Sequence, residues 1–413
     1  MSIYQTGKRY NWSWIMDPKF LVIAGFFLAT ALGGWWLMQP DPEDDLRWFR
    51  DLRIESWQRV IGESSQLDTV ISELESTYGP GAPRPQIDMA ETDFLPGNWS
   101  YEFAQLAEKS LAEENYQAAA GYFMMANYPQ VPATANSQSD AMHLKSLSSF
   151  EHWLTRDNHD YEKLSIPVDD QYITAYLVLP KTNTDKALPV VLQTGGIDSF
   201  FLAGFPDYLQ GWEPLNIGWV GFDIAGLGTA KGLTLDFKAE KVHQAVIKHL
   251  LAHPRVDAKN LFVYSRSMGG YAALRLAAIP NPDYNLAGVI AGCAVAEHVF
   301  KRRWLALLNM PKMTRHALAA RLNIEPNNYL GLAKAVKSFQ FSRQGIWQAG
   351  ITDTPLLVFN TPDDYLNPVS EIKEMAALSS NGQFALLDGE VGHCGSRTKG
   401  LIAATQFVKE HLR

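Results

Sequence analysis

The tract YSRSMGGY places Ser267 between Arg266 and Met268, with small residues close on both sides. A serine hydroxyl is a weak nucleophile at neutral pH. It needs a base to take its proton, and the base needs a carboxylate to orient it. Candidates for both roles lie downstream: His393 within GEVGHCG, and Asp363 and Asp364 within TPDDYLNP. Together these residue types can carry acyl transfer through a covalent intermediate. Asp364 is the favoured acid, because Pro368 follows four residues later in position to open a helix; Asp363 is the alternative. A tetrahedral intermediate also needs N–H donors for its oxyanion. Met268, directly after the serine, is one candidate, and Gly196 in TGGIDSF is the second, with Ile197 as its alternative. The plain structural reading of the same residues is a turn serine capping a helix, a loop-capping aspartate and a glycine turn.

Such a constellation works only if strands and helices bring it together. The apolar run LFVYS precedes the serine and MGGYAALRLAA follows it, so Ser267 falls where a strand turns into a helix. The nucleophile-elbow pattern is G-x-S-x-G; here it reads Ser265-Arg266-Ser267-Met268-Gly269, with serine in the first glycine position. Further apolar runs lie at 189–194, 219–223, 287–292, 355–360 and 383–388, with helical stretches between most of them, for example 238–252 and 268–279. LSIPVDDQYITAYLVLP reads as a β-hairpin with DDQ at its tip. This alternation predicts a mostly parallel sheet covered by helices on both faces. The acid follows one of these strands and the histidine follows the next. The stretch 298–347 is longer than a crossover helix needs and reads as a helical excursion over the sheet edge. Its Trp304, Leu305, Leu307, Leu308 and Met310 line an apolar pocket or simply pack on the sheet.

Before residue 159 the pattern is helical. Leu46, Phe49, Leu52, Trp57, Val60 and Ile61 recur at helical spacing, and YGPGAPRPQ breaks the run. Helical groups follow over about 99–128 and 138–155, rich in alanine and aromatic residues as closely packed antiparallel helices require. The expected organisation is an N-terminal segment 1–42, a helical domain 43–158 and a catalytic domain 159–413. Residues 20–38, FLVIAGFFLATALGGWWLM, carry no charge. At 1.5 Å per residue they nearly match a hydrocarbon core of roughly 30 Å. They read as a single-pass membrane anchor, with a cleaved signal peptide or a buried apolar helix as alternatives. Basic residues flank the run about equally, leaving orientation open. The expected localisation is therefore membrane-anchored, with cytoplasmic as the alternative.

Composition excludes other classes. The formal net charge of −8 and the lack of a Lys/Arg cluster argue against a nucleic-acid partner. Two cysteines, Cys293 and Cys394, exclude a disulfide framework and a multi-cysteine zinc site, while leaving room for one disulfide. The glycines of DIAGLGTAKG lack a phosphate-loop pattern and read as a pocket border.

Taken together, the elbow, the Ser, Asp, His order, the TGGIDS stretch, GNWSYEFAQLA and YFMMANYPQV resemble the FrsA-type esterases of the α/β-hydrolase superfamily, over most of the chain after about residue 45. The resemblance implies an α/β-hydrolase fold with an N-terminal helical domain over the active site. It also implies carboxylesterase activity on small acyl esters, with Ser267, His393 and Asp364 as the triad. Ser265 and the apolar N-terminal run depart from the family pattern. The expected function is cleavage of carboxylic esters through an acyl-enzyme, with a small-molecule ester as substrate and no metal or cofactor required. The alternatives are carbon–carbon bond hydrolysis on the same fold and a non-catalytic regulatory protein.

Overall fold

The computed structural model describes residues 54–387 and 393–413, apart from 63–64, 79–93, 132–136, 183–185, 280, 302–306 and 308–309. All of them belong to one compact unit, Arg47–Arg413.

Its first part is helical: α1 Ile54–Ile61, α2 Ser65–Tyr78, α3 Trp99–Ala112, α4 Tyr116–Ala126 and α5 Ser137–Arg156. Helix α4 is buried on every side from Ala118 to Ala126, as expected of a helix apolar all round at the centre of a bundle. Helix α1 presses against it so closely that a Cβ on Gly121 would lie 2.7 Å from Ile61 Cγ1. Trp57 meets Trp99 and Tyr128 edge-on, and the Trp99 indole donates to the Met125 carbonyl at 2.7 Å. The buried indole thus keeps its polar group satisfied.

The sheet follows. The strands are β1 Asp160–Val168, β2 Gln171–Leu179, β3 Leu188–Thr194, β4 Gly218–Gly221, β5 Val256–Arg266, β6 Gly288–Gly292, β7 Leu356–Asn360 and β8 Gly382–Leu386. They form one eight-stranded sheet in the order β1-β2-β4-β3-β5-β6-β7-β8. Strand β2 runs antiparallel to both neighbours, and the remaining pairs are parallel. The hairpin turns at Asp169–Asp170, with Val168 opposite Gln171 and Asp169 at φ 50°. Strands β3 to β7 are almost wholly buried, because helices cover both faces. In chain order the longer helices are α6 Lys241–Leu251, α7 Met268–Ala278, α8 Lys312–Arg321, α9 Tyr329–Lys337, α10 Val369–Ala376 and α11 Arg397–His411; α6, α7, α10 and α11 pack on the strands, while α8 and α9 belong to the excursion between β6 and β7. This is the α/β-hydrolase fold.

The excursion leaves β6 and returns to β7, two interior neighbours. It therefore lies over the carboxyl ends of the strands and not over the sheet edge: Arg321, at the end of α8, meets the loops that follow β3 and β4. Glu371 receives the N–H groups of Glu297 and His298, and Glu297 in turn accepts from Ser342. These bonds close the two ends of the excursion onto α10. Leu307 is buried and Met310 packs against the core, as the packing reading requires, while Trp304, Leu305 and Leu308 lie outside the described residues.

The expected membrane localisation is corrected. Among the described residues no helix is long and apolar enough to cross a membrane. Helix α5 has 20 residues, but Asp140, Lys145, Glu151 and Arg156 interrupt it. The segment 1–42, with its run 20–38, lies outside the described residues.

One buried charge joins the helical region to the sheet. Asp207, fully buried in the loop region after β3, accepts from Arg59 of α1 (2.8 Å), from Arg397 of α11 (2.8 Å) and from Gln193 of β3 (2.7 Å). Burial alone would raise its pKa, but the charges and hydrogen bonds of Arg397 and Arg59 outweigh it and hold the group below its ordinary value. Asp207→Ala strands two guanidinium groups. The expected loss is about 3–5 kcal/mol by denaturant unfolding, since one partner of a buried ionic cluster has gone. A depressed carboxylate stabilises above its unfolded pKa of 3.8 and loses that contribution as pH falls through the lower folded value. The stability gap between wild type and Asp207→Asn should therefore be full near neutrality and narrow below about pH 4. A gap that does not change with pH would refute the assignment.

Candidate active site

Strand β5 ends at Arg266 and α7 begins at Met268, so Ser267 alone makes the turn. It does so at φ 55° and ψ −121°, a region costly for any residue with a side chain. Three backbone bonds hold it there. The Ser267 N–H donates to Gly292 of β6 (2.9 Å), the Ser267 carbonyl accepts from Tyr271 (3.0 Å), and Gly269 donates to Gly195 of the loop after β3 (3.1 Å). The glycines are steric requirements at two points. A Cβ on Gly269 would sit 2.4 Å from the Gly195 oxygen, and one on Gly196 would sit 2.9 Å from Ser267 Cβ.

The hydroxyl does not cap α7. It lies 2.8 Å from His393 Nε2, and His393 Nδ1 lies 2.8 Å from Asp364 Oδ2. Asp364 is buried and Asp363 is exposed, so the carboxylate facing the imidazole is the one favoured by the proline register. The second oxygen of Asp364 accepts the Leu366 N–H at 2.7 Å. Burial works to raise this carboxyl's pKa. The hydrogen bond and charge of His393, the Leu366 N–H and Asn360 oppose it and leave the pKa lowered. The carboxylate is thus ionised and aimed at the ring that would become positive.

Met268 and Gly196 flank the serine. Met268 is the first residue of α7, whose leading N–H groups have no partner within the helix and carry the positive end of its dipole. The position of a Cβ on Gly196 would be 3.0 Å from Ser267 Oγ, so its backbone passes directly beside the hydroxyl. Ile197 follows in the same loop, its carbonyl turned toward Arg321.

Ser265, the departure from the elbow pattern, has a physical explanation. It is fully buried, and its hydroxyl pairs with His243 Nε2 of α6 at 3.3 Å. Burial drives His243 down to about 3, so the ring is neutral and takes the hydroxyl without a buried charge.

Three residues given no part in the chemistry by the sequence analysis also lie here: Cys293, Cys394 and Arg266. Cys394, next to His393, is bonded to Cys293 at the end of β6 across 101 residues. Arg266 donates to the Cys394 carbonyl at 2.7 Å and lies over the Phe359 ring. Cys394, next to His393, is thereby fastened both to the end of β5 and to the end of β6. Cys293, His393 and Cys394 lie close enough to share a metal ion. Their chemistry does not fit one in this state: the sulfurs are bonded to each other, and both ring nitrogens are engaged by Ser267 and Asp364. The pairing of a buried neighbour with the loop of a candidate base left no signal in the sequence beyond the position of Cys394.

Comparison with known proteins agrees with this architecture. The family described as "Esterase FrsA-like" matches residues 46–413. Esterase FrsA of Photobacterium profundum is 21% identical over 389 residues, covering 90% of each chain. Esterase FrsA of Vibrio cholerae is 26% identical over 351 residues, covering 81% of each. Among solved structures, AbyA5 superposes with a TM-score of 0.66 at 17% identity, covering 86% of this chain and 94% of its own. The 2,6-dihydroxy-pseudo-oxynicotine hydrolase superposes at 0.62 and 16% identity, with coverages of 86% and 95%. At these identities the two structures speak for the fold alone.

Removing the charge of Asp364 is expected to disable the imidazole without disturbing the fold. Asp364→Asn should lower hydrolytic turnover by about 10⁴-fold, because the wrong ring tautomer then faces the serine. Asp363→Asn, at an exposed position, should leave turnover unchanged. Steady-state rates on one chromogenic ester, with circular dichroism as the control for folding, check both. The opposite ranking would transfer the role to Asp363.

Proposed function

The chain belongs to the FrsA-like esterase family, and on that premise we propose that it hydrolyses carboxylic esters by a serine acyl-enzyme mechanism. The observation that carries this reading is the unbroken chain from Ser267 Oγ to His393 Nε2 and from His393 Nδ1 to Asp364, 2.8 Å at each link.

In the first half of the reaction His393 takes the Ser267 proton as Oγ attacks the ester carbonyl. The carbonyl oxygen becomes an oxyanion, and the Met268 and Gly196 N–H groups receive it. Asp364 remains ionised and steadies the imidazolium, as its lowered pKa favours. His393 then delivers the proton to the departing alkoxide, which leaves as the alcohol. A water molecule repeats the sequence on the acyl-enzyme, and the acid is released with Ser267 restored. The curated relatives bear the name esterase, which supports an ester as the substrate.

We further read the helices before residue 159 as a cover for this site and the chain from 159 onward as the catalytic part. The helical part is tied down over a broad front. Phe150 and Trp153 of α5 pack edge-on against Phe205, and the Tyr176 hydroxyl donates to Glu151.

Ser267→Ala tests the mechanism. The variant should keep the circular dichroism and melting behaviour of the wild type. It should lose all labelling by a fluorophosphonate and nearly all turnover of a short p-nitrophenyl ester. Loss of the nucleophile of such a triad costs about 10⁶-fold in kcat. Peptide mass spectrometry of the labelled wild type should find the adduct on the SRSMGG peptide. A label on another serine, or full activity in Ser267→Ala, would overturn the reading.

A further inference from the structure

Arg321 is completely buried, yet no carboxylate lies within ion-pair distance of it among the described residues. Its guanidinium is spent on four backbone carbonyls. Nε donates to Ile197 (2.9 Å), Nη1 to Gln130 (2.8 Å) and Gly226 (2.9 Å), and Nη2 to Pro129 (2.7 Å). Those acceptors come from three places. Pro129 and Gln130 form the turn that ends the α4 region, Ile197 lies in the loop after β3, and Gly226 lies in the loop after β4. Arg321 itself ends α8 of the excursion. One side chain thus joins four segments that are distant in sequence.

The place where they meet is significant. Ile197 directly follows Gly196, whose backbone passes beside Ser267. The same loop is held a second time, by the Tyr128 hydroxyl donating to Asp198 at 2.9 Å. Gln130 also accepts the Gly228 N–H at 2.6 Å, fastening the loop after β4 to the same turn. Burial lowers Arg321 to about 10, with Asp198 and Asp223 acting in the opposite sense, so the group remains charged at neutral pH. A buried charge without a direct counterion is retained only where carbonyl dipoles and more distant carboxylates replace its hydration. That requirement fixes the Ile197–Asp198 peptide plane; the Ile197 N–H lies in the adjacent peptide and the Gly196 N–H in the one before it.

We infer that Arg321 and Tyr128 are positioning residues for the oxyanion donor, holding the Gly196–Ile197 loop so that its N–H groups point at the oxygen developing on the substrate. This rests on the serine-hydrolase reading. It adds that the helical region and the excursion take part in the chemistry by aiming a backbone donor. Neither residue touches the substrate.

The test uses the full chain with three variants: Arg321→Lys, Arg321→Met and Tyr128→Phe. Active sites are counted by stoichiometric fluorophosphonate labelling, and the rate of acylation by a p-nitrophenyl ester is measured in a single turnover per labelled site. Affinity for an alkyl trifluoromethyl ketone, which forms a tetrahedral oxyanion adduct with an active serine, is measured in parallel. Misaiming one oxyanion donor should slow acylation by up to roughly 10²-fold. It should weaken the ketone by a comparable factor and leave KM for the ester nearly unchanged. Arg321→Lys, which keeps the charge but not the fork of donors, should recover part of the loss seen in Arg321→Met. A merely structural role would lower the number of labelled sites while each remaining site kept its wild-type acylation rate and ketone affinity; that result overturns the inference. If both Arg321 variants fail to fold, Tyr128→Phe decides, because it removes a single hydroxyl from the same loop. Unchanged per-site kinetics in Tyr128→Phe would then overturn the inference. Absence of labelling at Ser267 in the wild type would bring down the serine-hydrolase reading itself and this inference with it. Normal labelling with unaltered variant kinetics would bring down the inference alone.

Discussion

Ser267 stands at φ 55° and ψ −121° because β5 must hand the chain to α7 within one residue. A conformation of this kind costs about 1–3 kcal/mol and persists only where its surroundings over-determine it. Here the surroundings are the backbones of β6, α7 and the loop after β3, each bonded to the turn. The rest of the site inherits its geometry from that constraint. The turn lifts the hydroxyl away from the helix start and toward His393. It leaves no room for a side chain at Gly196 or Gly269. A strained turn gripped from three sides has little room to relax, which suits the oxyanion stabilisation proposed for it, since donors must be in place before the charge develops.

Around this centre buried charged groups add directional bonds to the apolar core that packs the elements together. Asp207 gathers Arg59, Arg397 and Gln193, so the first described helix, the last helix and the middle of the sheet share one carboxylate. Arg275 of α7 forms a buried fork with Glu240. Glu371 caps the start of the excursion, and Arg321 gathers four carbonyls. Such groups add little net stability over apolar replacements of the same shape, but leaving one unpaired is costly. They therefore discriminate sharply against any arrangement in which their partners are displaced. This is the kind of specificity a site needs when it is assembled from loops on different elements.

The elbow shows how a local departure is absorbed. A glycine at position 265 would leave space behind β5; the serine fills it and finds His243, kept neutral by burial. On the far side, Arg266 and the Cys293–Cys394 bond secure the segment that bears His393. The residue before the serine and the residue after the histidine thus contribute to one fastening, although neither enters the proposed chemistry.

Much of this was legible in the sequence because it depends on local period and order. Strand-length apolar runs alternating with amphipathic helices point to a covered parallel sheet, and each interior strand lies within a few residues of where its apolar run stands. The misjudged ends have identifiable causes. Strand β5 begins at Val256, five residues before the apolar run, because the polar Asp257–Lys259 stretch lies at its exposed start. Strand β4 stops at Gly221, because Asp223 turns inward to accept the N–H groups of Phe201 and Thr229. The serine at the strand–helix junction, the acid after one strand and the histidine after the next were legible for the same reason: each follows a recognisable element. The register to Pro368 favoured Asp364 over Asp363, and tertiary structure alone decided that the two cysteines meet across 101 residues. It also decided that the excursion crosses the carboxyl ends of the strands, and that Arg321 is the point where four segments converge. Sequence patterns register which face of one element is apolar. They do not register which distant backbone will lie against that face, and a hydrogen bond to a carbonyl oxygen, which every residue possesses, leaves no mark on the identity of its acceptor.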